Sequence, residues 1–393
     1  MTVRICGIIA EYDPFHNGHL WQLEQARAKS QADFIVCVIS TCFTQRGMPA
    51  LFSPQLRAEA ALRAGADLVL GLPVSYSVCT ADRFALGSVH ILKTLGADAL
   101  SFGIEPYGID VFESAAAVLS SPDDKFKSLL SKYLHQGKSF PLAQGLAVSK
   151  TLGITPGILS QPNTALSISY CKANQQLNAG LEMIPVIRTG EYHDEYLPED
   201  GISPSARAVR IAVLEGNMQA ARTAVPDFSA ALIEKAVQNN DLHLPEALTP
   251  LLRWKLRTAA QGNLASLPDL SEGLENRLPA AADCATRDDM VQAIKSKRYP
   301  YARINRLLTH LLLGTDASKL STLPEHAHIL AFRNDASCIL KTAKDKGFPL
   351  YPHIPPKPST YELSLDAHAD DLWHLGANES FGAAYRTHPF ILK

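Results

Sequence analysis

The sequence predicts an α/β fold: a doubly wound parallel sheet, followed by a mainly helical C-terminal region with a small α/β end. Three observations carry this prediction. From the start to about residue 105, short apolar runs alternate with helix-length stretches, the rhythm of parallel strands joined by crossover helices. The runs themselves, such as DFIVCVIS at Asp33–Ser40, are continuously apolar, as strands covered on both faces are. Beyond about Glu215 the strand signal fades and helices with polar spacers take over.

Taken in order, Val3–Ala10 reads as a first buried strand, a turn marked by Pro14 and Gly18 follows, and Leu20–Lys29 has helical composition. Asp33–Ser40 is the second strand. Ser53 caps a helix with Pro54 at its first position, running through Arg57, Glu59 and Leu62 to Ala64, with Gly65 as its stop. On that helix Arg57 and Arg63 read as surface residues. Asp67–Leu72 is a third strand ended by Pro73, Ala81–Leu95 a helix closed by Gly96, and Asp98–Phe102 a fourth strand before Gly103. From Ile109 to about Leu159 the chain is mostly helical, broken at Pro122, Gly137, Pro141 and Pro156-Gly157, and reads as an insertion serving as platform or lid.

Gln161-Pro162-Asn163 then precedes a helix over Thr164–Leu177, and Met183–Arg188 is a fifth strand. Thr189–Asp194 is a polar loop, and Ile202-Ser203-Pro204-Ser205 leads into a helix over Ala206–Leu214. Ser271–Asn276 opens a further helical stretch, and an apolar helix covers Leu307–Leu313. The end reverts to strand, helix and strand at His328–Phe332, Ser337–Lys346 and Leu350–Ile354, with a last helix over Leu365–Leu375. The expected division is a catalytic domain at 1–215, carrying the insertion at about 109–159, and a C-terminal domain at 216–393.

Composition narrows the setting. A formal net charge of −2 over 393 residues provides no global field for a polyanion, so nucleic-acid contact must come from a local basic face. Seven scattered cysteines without a Cys-x-x-Cys pair argue against a disulfide framework and a structural zinc site. Val3–Ala10 is too short for a signal-peptide core and no apolar run is long enough to span a bilayer, so a reduced, cytoplasmic setting with no membrane partner is expected.

The chemistry concentrates in Gly7-Ile8-Ile9-Ala10-Glu11-Tyr12-Asp13-Pro14-Phe15-His16-Asn17-Gly18-His19-Leu20, where the first strand hands over to a helix. Helix N-termini present unpaired N–H groups and a positive dipole end, and two imidazoles added there supply donors to a phosphate gaining charge. His16 and His19 alone would equally suit a metal or a cap. A third patterned ligand is missing, and the strand–turn–helix context, with Gly18 for close approach, favours phosphate.

Ligands of such sheets bind beyond the carboxyl ends of the strands, where Arg46 of Gln45-Arg46-Gly47, Gly103 and Arg188 also fall. Asn163 reads as a helix cap on position alone. Ser203, Ser205, Arg207 and Arg210 form a second helix start able to hold a polyphosphate. His193-Asp194 could be an acid–base pair or a surface loop. Lys295, Lys297, Arg298, Arg303 and Arg306, interleaved with Tyr299 and Tyr301, are either a solvated helix face or an RNA-backbone contact.

The opening motif resembles the nucleotide-binding signature of the HIGH-type nucleotidyltransferases, and more narrowly that of the bacterial tRNA(Met) cytidine acetate ligases, whose version reads E-Y-N-P-F-H-N-G-H. Phe43–Ala50 is similar to that family's F-x-Q-R-G-x-P-A block, Ser101–Glu105 to its F-G-S-E, and Gln161–Asn163 to its Q-P-N; Tyr192–Asp194 and Lys297–His310 also look like family features. Asp13 stands in place of Asn, Cys42 in place of the Asn before the Phe of the Q-R-G block, and Arg207 in place of the Thr of S-A-T-x-I-R.

The resemblance implies a nucleotidyltransferase-like Rossmann fold and an ATP-dependent ligase. It would form acetyl-adenylate from acetate and pass the acetyl group to N4 of the wobble cytidine of elongator tRNA(Met). It carries the ATP contacts over to Gly7 through Leu20, Gly103, Asn163 and Arg188. Beside it, the residues themselves make His16, His19 and Arg46 catalytic by offsetting phosphate charge and Ser205 a further ATP contact, with Mg²⁺ expected to arrive with ATP, no dedicated protein metal site and no DNA partner. Lys295, Lys297, Arg298, Arg303 and Arg306 would meet the tRNA. Two alternatives stay open: a small-molecule adenylyl- or cytidylyltransferase of the same superfamily, and an RNA-binding protein regulated by ATP.

Overall fold

The computed structural model describes residues 3–104, 108–155, 162–187, 197, 204–259, 264–271, 273–296, 299–377 and 381–393. Its centre is a sheet of eight strands: β1 (Ile5–Ala10), β2 (Phe34–Ser40), β3 (Leu68–Leu72), β4 (Ala99–Ile104), β5 (Glu182–Ile187), β6 (Ala327–Arg333), β7 (Leu350–Tyr351) and β8 (Phe390–Leu392). The order is β5-β4-β1-β2-β3-β6-β7, with β8 also paired to β6. β5 to β3 run parallel. The strand order reverses between β1 and β4, and a doubly wound sheet opens a crevice at that switch point.

Alternation along the strands builds two cores, one on each face. Val36 and Val38 of β2 face the same core as Leu92 of α4 (Ala81–Leu95), while Ile35, Cys37 and Ile39 face Leu23 of α1 (Asn17–Ser30) and Ala58 of α2 (Pro54–Arg63). Ser53 caps α2 by accepting the N–H of Leu56, and Gly96 closes α4 in the left-handed region at φ +83°, both as the sequence predicts. Gly7 has a packing reason: a Cβ there would lie 2.4 Å from Leu92 Cδ1, so α4 can press on the middle of β1 only over a glycine.

The short helix α3 (Val74–Ser77) links β3 to α4. The expected helical insertion consists of α5 (Ile109–Ser120), α6 (Asp124–His135) and α7 (Phe140–Leu152), and α8 (Pro162–Gln176) returns to the sheet. A second helical layer follows: α9 (Ala206–Leu214), α10 (Met218–Thr223), α11 (Asp227–Gln238), α12 (Thr249–Thr258), α13 (Arg287–Ile294) and α14 (Tyr301–Leu313). The last two helices are α15 (Ser337–Asp345) and α16 (Tyr361–Gly376).

Several elements differ from the sequence prediction. β6 lies antiparallel against β3, so the C-terminal strands extend the sheet begun by the N-terminal half. β8 carries no sequence prediction. α14 begins six residues before the predicted Leu307 and takes Arg303 and Arg306 into its first turns, and Leu274–Ala281 is a 3-10 turn. The helical layer packs directly on the strand ends: Phe43, Val74 and Val78 share one core with Leu252, Met290, Leu307 and Trp373.

Gly7→Ala should destabilise the protein by about 1–3 kcal/mol through overpacking against Leu92. Combining it with Leu92→Ala should recover part of that loss, as read by the urea midpoints of the two single variants and the double.

Candidate active site

A cavity of about 1020 Å³ opens at the switch point, beyond the carboxyl ends of β1 and β4. Ile9 to Asp13 and His16 to Leu20 line it. Gly7, Ile8, Pro14 and Phe15 of the expected contacts do not line it: Gly7 and Ile8 lie within the sheet, and Phe15 is buried beside Tyr12, His19 and Phe228. Pro14 and Phe15 are buried in the turn, and Gly7 and Ile8 in the strand that leads to it.

The two imidazoles stack, with centroids 3.6 Å apart and planes 20° from parallel. His16 is the N-cap of α1, and its backbone N–H donates to His19 Nδ1 at 3.3 Å. An acceptor Nδ1 carries no proton, so neutral His19 holds its hydrogen on Nε2, where it can be donated. At Gly18 the space is tight in a way the sequence does not reveal: a Cβ would sit 3.1 Å from His16 Cε1. The helix start offers fewer amides than expected: the N–H of Asn17 donates to Ala224 O at 3.1 Å and that of His19 to His16 O at 2.9 Å. Two of the first amides of α1 are thus already paired.

The turn is held by charge. Asp13 is buried, and its two oxygens accept the N–H groups of Leu51 (3.0 Å) and Phe52 (3.1 Å). Arg210 donates to Asp13 O and stands 3.6 Å from Asp13 Oδ2, tying α9 to the motif. Ser205 caps α9 by accepting the N–H of Ala208, and both it and Arg207 line the cavity. Gly103 lines it as well, paired with Val186 of β5. Arg188, His193, Asp194 and Ser203 lie outside the described residues, as does the side chain of Asn163.

Arg46 reaches the same cavity from the loop after β2. Its neighbour Gln45 donates its N–H to Glu11 Oε1 at 2.6 Å. Burial raises the Glu11 carboxyl above its ordinary value, and that N–H partly offsets the effect. Gly47 sits at φ +82°, with a Cβ position 2.5 Å from the backbone nitrogen of Arg306. Its carbonyl accepts from Arg287 (2.9 Å) and Thr309 (2.6 Å), so α13 and α14 buttress the Arg46 loop from behind.

The residue that sequence reasoning placed wrongly is Arg57. Its side chain is fully buried and donates to four backbone carbonyls: Phe52 O (3.0 Å), Glu11 O (2.8 Å), Ser40 O (2.9 Å) and Thr41 O. The one local hint was its setting among Ala58, Ala60 and Ala61, small residues that mark a helix pressed closely against the sheet.

The basic run also divides. Arg306 is buried and pairs with both oxygens of Asp269, at 2.6 and 3.1 Å. Arg303 donates to Asp269 O and Ser271 Oγ. The expectation that Arg306 meets RNA is thus corrected, since its guanidinium is turned inward. Lys295 lies on the face of exposed Tyr301, 3.9 Å from the ring centroid, and Lys297 and Arg298 lie outside the described residues. All seven cysteines are free; burial pushes Cys6 up to about 11 and Cys37 to about 12, which makes both poor nucleophiles.

The sequence profile of the HIGH Nucleotidyl Transferase family matches residues 3–386. A tRNA(Met) cytidine acetate ligase of Leuconostoc citreum is 31% identical over 385 residues, spanning 96% of this chain and 94% of that protein. The protein of the same name from Clostridium novyi is 31% identical over 403 residues, covering both chains in full. Among solved structures, apo TmcAL of Thermotoga maritima superposes with a TM-score of 0.90 at 26% identity, over 99% of this chain and 100% of that one. TmcAL bound with α-thio ATP superposes at 0.88 with 25% identity, over the same shares of both chains.

Arg57→Leu should strand four carbonyls in the core and lower stability by about 3–5 kcal/mol. Chemical denaturation of the variant against the parent protein checks this, and a loss within 1 kcal/mol on the same scale would contradict it (~1 kcal/mol being the net worth of a single ordinary hydrogen bond).

Proposed function

This chain belongs to the HIGH nucleotidyl transferase family and, within it, to the tRNA(Met) cytidine acetate ligases, and we propose that its own residues carry that reaction as follows. ATP occupies the switch-point cavity and acetate enters beside its α-phosphate. A carboxylate oxygen of acetate attacks the α-phosphorus, the bond to the bridging β-oxygen breaks, and pyrophosphate leaves acetyl-adenylate behind. N4 of the wobble cytidine of elongator tRNA(Met) then attacks the acetyl carbonyl, AMP departs, and N4 loses a proton.

The observation that carries this reading is the stacked pair His16 and His19 on the cavity wall, with His19 Nδ1 accepting the His16 N–H. An anion attacking a triphosphate meets repulsion, and donors fixed in place before reaction lower that barrier without reorganising. Arg46 and Arg207, both lining the cavity, add positive charge where the phosphates bind. Asn163 and Arg188, which the family pattern assigns to ATP, are proposed as further contacts. Glu11 and Asp13 fit poorly as a metal cage, because Glu11 Oε1 and both Asp13 oxygens already accept backbone N–H groups. Mg²⁺ is therefore proposed to travel with ATP, held by phosphate and water; bound there, it neutralises phosphate charge.

For the acceptor, we propose a tRNA face at the head of α14. Tyr301, 46% exposed and covered by Lys295, gives an aromatic surface beside a cation, and Lys297 and Arg298 follow in sequence. The proposed division is a catalytic unit over 1–215 and a tRNA-facing helical layer after 216. The proposed setting is the cytoplasm, where uncharged and charged tRNA are both present. No helix among the described residues is long and apolar enough to cross a membrane.

With ATP, labelled acetate and tRNA, the protein should release pyrophosphate in an acetate-dependent manner and label the RNA. His19→Ala should slow the pyrophosphate step by about 10²–10³-fold while tRNA binding stays near the parent value. Absence of acetate-dependent pyrophosphate in the parent protein would sink the ligase reading, and loss of tRNA binding in His19→Ala would make the residue structural.

Replacing Lys295, Lys297 and Arg298 together by Gln should weaken tRNA binding and reduce the slope of log K against log salt by about 2 if all three meet phosphates. An unchanged slope moves the RNA face elsewhere.

A further inference from the structure

A second cluster of chemistry-bearing side chains lies where β6 meets α16, apart from the cavity at β1. His326 immediately precedes β6, His328 lies on it, and Asp366 comes from α16. His326 Nε2 stands 2.8 Å from Asp366 Oδ2, and His328 Nε2 stands 2.7 Å from that same oxygen. The other carboxylate oxygen accepts the N–H of Val74 at 2.7 Å. All three side chains are buried, and one ligand atom from each lies within 4.8 Å of the others. A small cavity of about 60 Å³ adjoins His328 and Asp366, and Asp370, His353 and Cys42 also wall it.

We propose that His326, His328 and Asp366 bind one divalent transition-metal ion, with zinc the best match, and that the adjoining cavity admits a water to complete its coordination. Two imidazole nitrogens and one carboxylate oxygen form a three-ligand zinc set, and nitrogen donors select zinc over magnesium or calcium. In the metal-free state each imidazole donates its Nε2–H to Asp366. On binding, those two protons move to Nδ1, and the nitrogen–oxygen separations open to about 3.3 Å, the edge of a tetrahedron with bonds near 2.0 Å. No oxidant or co-reactant is required, since the step is ligand exchange alone. The ion would join the start of β6 to α16 and, through the Val74 N–H, to the end of β3. It would act as a latch for the antiparallel strand that brings the C-terminal segment into the sheet.

The test uses the full chain stripped with a chelator and titrated with Co²⁺, then with Zn²⁺ in competition. The expected result is one equivalent of Co²⁺ with the visible absorption of a four-coordinate ion, displaced by Zn²⁺, and a higher thermal midpoint with Zn²⁺. His328→Gln keeps a donor for Asp366 and should preserve the fold, but should weaken the metal by more than about 100-fold, beyond what loss of an outer-shell partner does. His326→Gln should do the same, and serves if the first variant does not fold. No stoichiometric binding, or binding unchanged in a folded Gln variant, overturns the proposal and leaves a hydrogen-bonded His–Asp–His cluster.

Discussion

The buried guanidinium of Arg57 is the constraint on which the rest of the site depends. The carboxyl ends of β1 and β2 must leave the sheet and turn apart to open a crevice, and in doing so they leave backbone carbonyls without ladder partners. Such carbonyls buried without donors would each destabilise the fold. Arg57 satisfies the carbonyls of Glu11, Ser40, Thr41 and Phe52 from a single planar group. A lysine could not do this, because its ammonium presents three donors at one point while the guanidinium spreads five around a fork. Burial lowers the pKa of Arg57, yet Asp13 and Glu11 nearby favour its charged form, so the charge persists in the core.

A second constraint runs from Gly47. The Arg46 loop can turn only through a residue at positive φ, and the backbone of α14 presses so closely that no side chain fits there. Arg287 and Thr309 clamp the Gly47 carbonyl, and Arg306 is fixed in turn by Asp269. The helix that begins beside Lys295 and Tyr301 therefore also supports the loop that brings Arg46 to the switch-point cavity. A nucleic acid held at the head of α14 and a nucleotide held at β1 would load the same few atoms from opposite sides.

The alternation of strands and helices was legible in the sequence, because each apolar run and each cap is encoded locally. Ser53, Gly96 and Ser205 mark their helix ends through their own conformational preferences. The strand–turn–helix motif with its two histidines was legible for the same reason. What escaped was whatever depends on a distant partner. Arg57 finds carbonyls up to 46 positions away, Arg306 finds Asp269 37 positions earlier, and β6 pairs with a strand more than 250 residues before it. An arginine on a helix looks alike from sequence whether it meets water or four carbonyls. Two packing constraints were equally hidden: a Cβ at Gly7 would meet Leu92 of α4, and one at Gly18 would lie 3.1 Å from the ring of His16.

The His16 ring explains why this site rests on side-chain donors. In a bare phosphate-binding helix start, several amides point outward together. Here the first amide of α1 is taken by Ala224 O, and the His16 N–H is directed to His19 Nδ1. That second bond fixes which nitrogen of His19 carries the proton. A backbone N–H thus serves to orient an imidazole donor, longer than an amide, on the cavity wall. In the proposed reaction the phosphorus attacked is the first of three, so a donor of fixed orientation would serve it beside those that meet the β- and γ-phosphates. The stacking of His16 on His19 holds that longer donor still, so its orientation is set before the substrates arrive.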